Sequence, residues 1–507
     1  MTSTQTAESQ NPYLEGFLAP VGTEVTATDL EVTGHIPEHL DGRYLRNGPN
    51  PAAEVDPATH HWFTGDGMVH GAALRDGKAC WYRNRWVRGP AVCATLGEPV
   101  PGSRNPGAGL QAVGANTNVL THAGRTLALV EGGVANYELT DELETVGPCD
   151  FDGTLAGGYT AHPHRDPRTG ELHAVSYSFA RGRTVQYSVI DTHGHARRTV
   201  DIEVSGSPMM HDFSLTDKYV VIYDLPVTLD PVQLMSASVP RWLQLPARLV
   251  TQSVIGRVRI PSPIVAMLNR DTRRAVGFPY AWNPDYPARI GVMPRDGENK
   301  DVRWFDIEPC YVYHPLNAYS EMRDGTEVLV LDVVRYPRMF DRDRRGPGDT
   351  QPTLDRWTIN LATGAVATEC RDDRSQEFPR INETLLGGRH RFGYTLGFNG
   401  GYLDQGTSEM ITSLYKHDYS TGSSQVAPLD PDLLLGEMSF IPNPASDSGN
   451  RVPPVEDDGI LMGYGYHRGR DEGQLLLLDA QTLESMATVH LPQRVPMGFH
   501  GNWSPKG

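Results

Sequence analysis

Short apolar runs, each followed by a polar turn, recur along the whole chain and restrict its fold more than any other feature. Long stretches with helical periodicity are scarce. Runs of about four to six residues bounded by Gly, Asp or Asn are typical of β-strands. We therefore predict strands at many places, with clear examples at residues 127–130, 219–223, 328–331 and 475–478.

A second pattern concerns how these strands are joined. A strand-like run leads into a polar turn, as at residues 185–194, 357–364 and 475–484. Such a pattern is typical of antiparallel meanders arranged in series, and 52 glycines and 39 prolines agree with many turns. We predict an all-β chain of the propeller type, in which radial repetition leaves only short, protected sheet edges. A large β-sandwich is the alternative.

Length and charge set further limits. At about 150 residues per domain, 507 residues would allow three domains, although single all-β domains often run longer. Because the strands recur without a split, we predict one domain over residues 1–507. The formal net charge is −17 and the chain has no basic run. Such a field repels phosphate backbones, so we expect no nucleic acid as a partner.

Targeting signals and cysteines indicate the compartment. Residues 1–10 are polar and lack the basic and apolar parts of a signal peptide. No apolar stretch reaches the roughly 18 residues that a membrane-spanning helix needs. The five cysteines lie far apart and form no CxxC pair: Cys80, Cys93, Cys149, Cys310 and Cys370. We therefore expect a reducing, cytoplasmic location and no metal–thiolate chemistry.

One segment departs from the strand pattern. Residues 231–269 are rich in apolar side chains, and their only charged residues are Arg241, Arg248, Arg257 and Arg259. One interpretation is an insertion that packs over the propeller face. The other is an apolar patch with a basic rim that contacts a membrane or forms the mouth of a lipophilic tunnel.

Four of the 18 histidines stand out, because each borders a strand-like run and has apolar, Gly or Pro neighbours. They are His162, His211, His314 and His500. Their wide separation suits different blades converging on a propeller axis and does not suit a local metal loop. Imidazole ligands suit Fe, Cu, Zn or Ni, so the four histidines alone do not identify the metal.

Three glutamates lie in apolar or Gly-rich settings where an unpaired carboxylate would be costly: Glu131, Glu377 and Glu437. Histidines that bind metals usually donate their other N–H to a carboxylate, a carbonyl or water. Together with the four histidines, these residues predict carboxylates that orient metal ligands. Individually, each would be read as a surface or turn residue.

Other motifs point to no competing chemistry. The sequence has no GxSxG, GxxxxGK[ST] or HExxH motif, so hydrolase, P-loop and zincin sites lack their signatures. His60, His61 and His70 surround an aromatic turn, which we interpret as structural. His164 lies two residues from His162, and we interpret it as a bystander.

Nine segments carry a resemblance over nearly the whole chain. They are residues 46–51, 61–70, 115–119, 161–167, 210–213, 314–319, 377–381, 456–459 and 499–503. In this order the segments resemble the carotenoid cleavage oxygenase family. That family includes bacterial carotenoid and apocarotenoid dioxygenases and is related to lignostilbene dioxygenases. No single segment is specific, but the combination is.

The resemblance implies a fold and a metal site. The fold is a seven-bladed β-propeller with loops and short helices capping one face, and Fe(II) lies on its axis. The ligands would be His162, His211, His314 and His500. By the family pattern, Glu131 would orient His211, Glu377 would orient His314, and Glu437 would orient His500. His162 would have no carboxylate partner.

Two further residues match family positions near the metal. Thr117 matches the position where a small side chain crowds one open coordination site, which would leave one site for O2. Phe63 matches a position that lines the substrate tunnel. The protein would then control positioning, access and the exclusion of water.

The resemblance also implies an activity. A non-haem Fe(II) dioxygenase would cleave a C=C double bond of a carotenoid or apocarotenoid with O2 and release two carbonyl products. The partners would be a lipophilic polyene and O2. Peripheral membrane contact belongs to the second interpretation of residues 231–269 and comes from their composition, not from the resemblance. A polyene gains about 0.8 kcal/mol for each buried CH2-sized unit, so an apolar tunnel would supply most of its binding.

Two alternatives remain for the function. Relatives that cleave phenolic stilbenes carry a Lys immediately before the first orienting Glu, and a Tyr upstream, which hold the phenol. Val130 occupies the Lys position here, and Tyr82 is a weak candidate for the Tyr, so the carotenoid reading is favoured. The second alternative is a carotenoid-binding propeller without catalysis, which the complete set of His and Glu residues disfavours.

Overall fold

The strands of the computed structural model form seven antiparallel blades and a separate two-stranded ribbon. The structure describes residues 11–102, 105–111, 114–230, 259, 278–341, 350–399, 410–444 and 455–506. The predicted all-β propeller is confirmed, and the sandwich alternative is wrong. The predicted runs at 127–130, 219–223, 328–331 and 475–478 all fall on strands of this propeller, the first extending one residue beyond its strand.

Two blades combine chain segments from opposite ends of the sequence. The first blade has the strand order Thr26–Ala27, Lys78–Trp86, Gly67–Arg75, Gly42–Pro49, Gly501–Pro505. The seventh has the order Val32–Gly34, Ser485–His490, Glu472–Asp479, Gly459–His467, Leu433–Leu435, and Ser439–Pro442 also pairs with Gly459–His467. Hydrogen bonds between the two ends of the chain therefore close the ring.

The other five blades are four-stranded and follow one another along the chain. The second comprises Asn118–His122, Arg125–Leu129, Asn136–Leu139 and Thr145–Cys149, and the third His164–Arg165, Leu172–Ser176, Thr184–Ile190 and Ala196–Glu203. The fourth comprises Ser214–Leu215, Tyr219–Asp224, Arg289–Pro294 and Arg303–Asp306. The fifth comprises Tyr311–Arg323, Thr326–Tyr336, Thr353–Asn360 and Val366–Asp372, and the sixth Gln376–Arg380, Phe392–Phe398, Thr412–Asp418 and Ser423–Val426.

Central and outer strands of a blade differ in burial. Tyr219–Asp224 is buried at every residue but its first, whereas the outer strand Ser423–Val426 is exposed throughout. Each central strand is covered on both faces by neighbouring blades, so it reads as a continuous apolar run instead of an alternating one. This packing explains why short apolar runs dominate the sequence.

Helical structure is sparse in the described residues. The single α-helix there is Pro90–Leu96, which begins with a proline and ends at Gly97, whose φ is 70°. The described 3-10 turns are Pro12–Leu14, Gly16–Leu18, Trp62–Thr64, Pro106–Ala108, Phe179–Arg181, Asn299–Asp301, Glu383–Leu385 and Arg468–Arg470. The ribbon Val227–Leu229 with Tyr280–Trp282 branches from the fourth blade.

The predicted insertion at 231–269 lies outside the described residues, apart from Arg259. The guanidinium of Arg259 lies 3.2 Å from the carboxylate of Asp201 on the third blade. The insertion and the single domain over residues 1–507 stay predictions.

Candidate metal centre

Each blade contributes one of the seven polar residues that the sequence singled out. Each of these residues lies in a strand of its blade or within a few residues of one. From the first blade to the seventh they are His500, Glu131, His162, His211, His314, Glu377 and Glu437. Residues far apart in the sequence therefore meet where the blades converge.

Two of these residues lie where the regular strand pairing is interrupted. In the strand Tyr311–Arg323, the register shifts on both sides of Pro315, which has no N–H to donate to its neighbour. The pairing of Gln376–Arg380 also shifts, and Phe378 has a φ of 50°. Such bulges redirect side chains. His314 and Glu377 lie directly beside these irregularities.

The four histidines are buried and form one cluster. Their candidate ligand nitrogens all lie within 4.8 Å of one another. The Nε2 atoms of His211 and His314 are 3.1 Å apart. The ring centre of His162 lies 4.4 Å from that of His211 and 4.5 Å from that of His500.

Three of the imidazoles are held by carboxylates. His211 Nδ1 lies 2.9 Å from Glu131 Oε1, His314 Nδ1 lies 2.6 Å from Glu377 Oε2, and His500 Nδ1 lies 3.0 Å from Glu437 Oε1. These pairs are the ones the family pattern implies. A carboxylate that accepts the Nδ1–H fixes the tautomer and directs the Nε2 lone pair inward.

His162 differs from the other three. Its Nδ1 lies 3.7 Å from Asp212 Oδ2, which is beyond hydrogen-bond distance. Asp212 is instead bonded to His164, whose Nε2 lies 2.8 Å from Asp212 Oδ1. The seven blades supply four histidines and three glutamates. One histidine therefore has no glutamate partner, and it is His162. His164 thus has a defined contact beside the cluster.

Burial and neighbouring charges shift the pKa values at the cluster. Burial holds the pKa of His162 well below its usual value, and the other histidines lower it further. Burial also lowers the pKa of His500, despite the opposing effect of Glu437. Burial would raise the pKa of Glu437, but His500 and Arg380 outweigh it and lower that pKa to about 2. At His162 and His500 these shifts favour the neutral imidazole, which is the form that binds a metal.

Thr117 lies beside His500. Its backbone carbonyl accepts a hydrogen bond from the backbone N–H of His500, with an N–O distance of 3.1 Å. Its side-chain hydroxyl donates to Asn116 Oδ1 at 3.0 Å. Thr117 is buried, with 7% of its surface exposed. The structure thus places it next to the cluster, and its role toward a coordination site stays a prediction.

Phe63 is the centre of an aromatic group next to the cluster. Its ring lies 5.4 Å from that of Phe499 and 6.2 Å from that of Tyr313, which directly precede His500 and His314. Phe278 and Phe340 complete the group at 5.5 and 6.3 Å. The ring of Tyr313 also lies 4.9 Å from that of His211. An apolar wall thus lies against the histidines.

A cavity of about 950 Å³ also reaches the cluster, and it is separate from the aromatic group. Its lining includes His162, His314 and His500 together with polar and charged residues, among them Asn118, Arg380 and Asn502. It shares no residue with the aromatic group around Phe63. The aromatic group and the cavity therefore adjoin the histidines through different residues.

The substrate-related positions lie as follows. Val130 is buried at 7% exposure in the apolar core and precedes Glu131. Tyr82 lies fully buried in the first blade, and its hydroxyl is 2.9 Å from His70 Nδ1. None of the contacts recorded for Tyr82 in the described residues involves the four histidines. Its interpretation as a strand aromatic agrees with this position.

Sequence reasoning missed two residues at the centre. Arg380 contacts Glu437, and Asp212 lies between His162 and His164. Both adjoin residues that were singled out, since Asp212 follows His211 and Arg380 lies three residues after Glu377. Each is a charged residue within an otherwise apolar motif, and this was the signal in the sequence that could have identified them.

The donor set fits a transition metal. Three imidazoles have their Nδ1 atoms engaged by glutamates, so their Nε2 atoms are the available donors. The Nε2 of His162 is buried and has no hydrogen-bond partner among the described residues. Such an unsatisfied atom is costly unless a metal or water completes it. The four histidines would hold the ion, and imidazole donors suit iron.

Comparison with known proteins agrees with this site. A family model described as retinal pigment epithelial membrane protein matches residues 18–505. A carotenoid cleavage oxygenase of Mycobacterium tuberculosis is 78% identical over 506 residues, covering 100% of both chains. The lignostilbene dioxygenase structure from Pseudomonas brassicacearum has a TM-score of 0.77 at 25% identity, covering 98% of this chain and 99% of that one. Cobalt-substituted apocarotenoid oxygenase from Synechocystis has a TM-score of 0.74 at 26% identity, covering 96% and 97%.

A seven-bladed propeller with four histidines at its centre defines a class of oxygenases. The chain belongs to the carotenoid cleavage oxygenase family, and it is an enzyme of the oxygenase type. In the ranges the structure describes, no helix is both long and apolar enough to cross a membrane.

Proposed function

We propose that this enzyme holds Fe(II) through its four clustered histidines and cleaves a C=C double bond of a carotenoid or apocarotenoid with O2. The observation that carries the proposal is the convergence of four buried imidazoles, three of them bonded to glutamates. Bound Fe(II) would supply the O2 chemistry that splits the bond into two carbonyls. No organic cofactor is needed.

The positions of the residues support the following roles. His162, His211, His314 and His500 bind the ion, and Glu131, Glu377 and Glu437 orient three of them. Thr117 restricts access beside His500. Four neutral ligands leave the charge of a divalent ion unchanged, so the carboxylates offset it without occupying coordination sites. Such preorganised polar groups remain effective where water is excluded.

The aromatic group around Phe63 supports an apolar substrate. The ring of Phe63 packs against those of Tyr313 and Phe499, which directly precede the ligands His314 and His500. A polyene packs on such surface, and the depth to which it enters would select the bond presented to the ion. Two relatives are named carotenoid cleavage oxygenase and apocarotenoid oxygenase, and these names agree with a polyene substrate.

A stilbene substrate is the second candidate, because the lignostilbene dioxygenase is a structural neighbour. Val130 argues against it, since an apolar residue stands where a phenol-binding lysine would be needed. A propeller that binds carotenoids without cleaving them is the third candidate. It predicts bound polyene without any oxygen-dependent product.

The deciding experiment offers β-carotene, an apocarotenal and resveratrol side by side to iron-loaded protein in air. Chromatography with mass spectrometry then identifies the products. Two carbonyl products from either polyene would support the proposal, and their masses would identify the bond. Phenolic aldehydes from resveratrol alone would contradict the substrate class. Iron-loaded protein that yields no product would favour the binding function.

The ligand assignment is tested by separate His→Ala changes at 162, 211, 314 and 500, with His193→Ala as a control. His193 is exposed and lies outside the cluster. Each of the four changes is expected to abolish stable iron binding, measured as metal content after gel filtration, whereas the control retains it. Full metal content in any one of the four would contradict its role as a ligand.

We also propose that the apolar segment at 231–269 contacts membranes peripherally. The support is its sequence alone, because it has many apolar side chains and only basic charges. Liposome flotation of the intact protein would be compared with a variant carrying Ser at Trp242, Leu245 and Leu249. We expect flotation only of the intact protein, and equal, negligible flotation would contradict the contact.

A further inference from the structure

Glu437 differs from the other two glutamates in having a cationic neighbour. Arg380 Nη1 lies 3.4 Å from Glu437 Oε1, the same oxygen that faces His500 Nδ1. The side chain of Arg380 is 15% exposed and that of Glu437 only 2%. In the described ranges, no lysine or arginine forms an ion pair with Glu131 or Glu377, whose recorded ionic partners are histidines.

Arg380 is itself held in place. Its Nη2 donates to Asn502 Oδ1 at 3.0 Å, and the amide of Asn502 donates to the backbone carbonyl of Val119 at 2.9 Å. The guanidinium also contacts Glu383 Oε1 at 2.5 Å. The contact with Glu437 therefore comes from a fixed group that lines the cavity.

The charges near the ion explain why a cation belongs there. Three glutamates contribute −3 and a divalent ion +2, which leaves −1 in a buried site. Arg380 brings the sum over the ion, the three glutamates and itself to zero. Asp212, which is hydrogen-bonded to His164, is not counted in this sum. Glu383 is 54% exposed, so solvent screens its charge far more than that of Glu437.

We propose that Arg380 is a positioning residue that fixes Glu437 on His500 and, by its charge, favours the ferrous over the ferric state of the bound ion. This inference rests on the proposed iron function. Oxidation adds one positive charge to the centre, and a nearby guanidinium opposes that charge through a medium of low dielectric constant. Within the described part of the chain, Glu131 and Glu377 have no such cationic neighbour.

The first test measures the one-electron midpoint potential of iron-loaded protein, with an electrode and mediators and without substrate. Removing the cation in Arg380→Gln should favour ferric iron by about tenfold in the equilibrium constant, a downward shift of about 59 mV. Arg380→Lys keeps the positive charge, so its potential should stay close to that of the unchanged chain. Glu383→Gln is the matched control. It removes a negative charge that contacts the same guanidinium, so it should raise the potential. An unchanged or raised potential in Arg380→Gln would overturn the redox role.

The second test needs no metal. Denaturant midpoints of the metal-free protein would be compared for Arg380→Gln, Glu437→Gln, the double variant and the unchanged chain. A fixing contact predicts that Arg380→Gln lowers the midpoint more when Glu437 is present than when it is Gln, because the contacts with Asn502 and Glu383 are lost in both backgrounds. Equal effects in both backgrounds would overturn the contact. If Arg380→Gln does not fold, Glu383→Gln carries the redox test, and a potential that does not rise in that variant would overturn the redox role. Arg380→Lys then replaces Arg380→Gln in the denaturant comparison.

The two tests separate this inference from the function on which it rests. Protein that binds no iron would contradict the proposed function and the redox role together, while the metal-free comparison would still decide the contact. Protein that binds iron and cleaves a polyene, yet shows no shift in Arg380→Gln, would contradict only the role of Arg380.

Discussion

His314 Nδ1 lies 2.6 Å from Glu377 Oε2, across the boundary between the fifth and sixth blades. Both side chains are almost fully buried, and the backbone is irregular beside each of them. Glu377 also accepts a hydrogen bond from the backbone N–H of Phe378. The carboxylate is therefore held from two directions and aims the imidazole toward the cluster.

Changing Glu377→Gln should weaken metal binding. The amide oxygen can still accept the His314 N–H, but the negative charge that raises the basicity of the imidazole is lost. We expect a loss of about 10- to 100-fold in affinity for the metal, measured by competition with a chelator. Unchanged affinity would show that the charge of this carboxylate does not act on the ligand.

Changing Asp212→Asn should have a much smaller effect on metal affinity. Asp212 lies outside hydrogen-bond distance of His162, and an amide oxygen preserves the contact with His164. We expect a change of less than about threefold, below the range seen for partners bonded directly to ligands. The same chelator competition measures it. A loss as large as that of Glu377→Gln would mean that Asp212 orients His162 in solution.

Changing Phe63→Leu should raise the KM for a polyene without changing metal content. Leucine keeps the site apolar but removes the aromatic face that the proposed function sets against the polyene, and an aromatic contact is worth about 0.5–1.5 kcal/mol. We expect KM to rise by about two- to tenfold. Phe305→Leu, on the buried face of an outer strand of the fourth blade, is the control for a general packing loss. Equal KM changes in both variants would argue against a substrate contact.

Stability should fall as the pH is lowered below about 6.5. Burial, reinforced at His173 by Arg295, lowers the pKa of His173 to about 3, and burial lowers that of His390 to about 4, both from 6.5. The unfolded chain then binds more protons than the folded one between these values and 6.5, so acid favours unfolding. Each histidine should cost up to about 1.4 kcal/mol per pH unit in that window.

The measurement is the free energy of unfolding of metal-free protein at several pH values between about 7 and 4. Metal-free protein is used because acid also displaces metal from histidine ligands. His390→Gln should lower the slope relative to the unchanged chain. An identical slope in the variant would show that His390 does not contribute to the pH dependence.

Much of the fold follows from local sequence. Central blade strands such as Glu472–Asp479 are covered on both faces, so they appear as uninterrupted apolar runs that can be recognised without a structure. The residues of the centre were also recognisable, since polar side chains in apolar or Gly-rich settings require partners. Their pairing came from a family resemblance and not from spacing, because Glu131 and His211 lie on the second and fourth blades.

The sequence by itself determined the succession of strands and turns and the identity of the histidines and glutamates. Only the tertiary structure decided which contacts these residues make. It places Asp212 at 3.7 Å from His162, brings Arg380 to Glu437, and sets Phe63 against the residues before two ligands. Strand formation depends on neighbours a few residues apart, whereas these distances depend on how seven blades close around one axis.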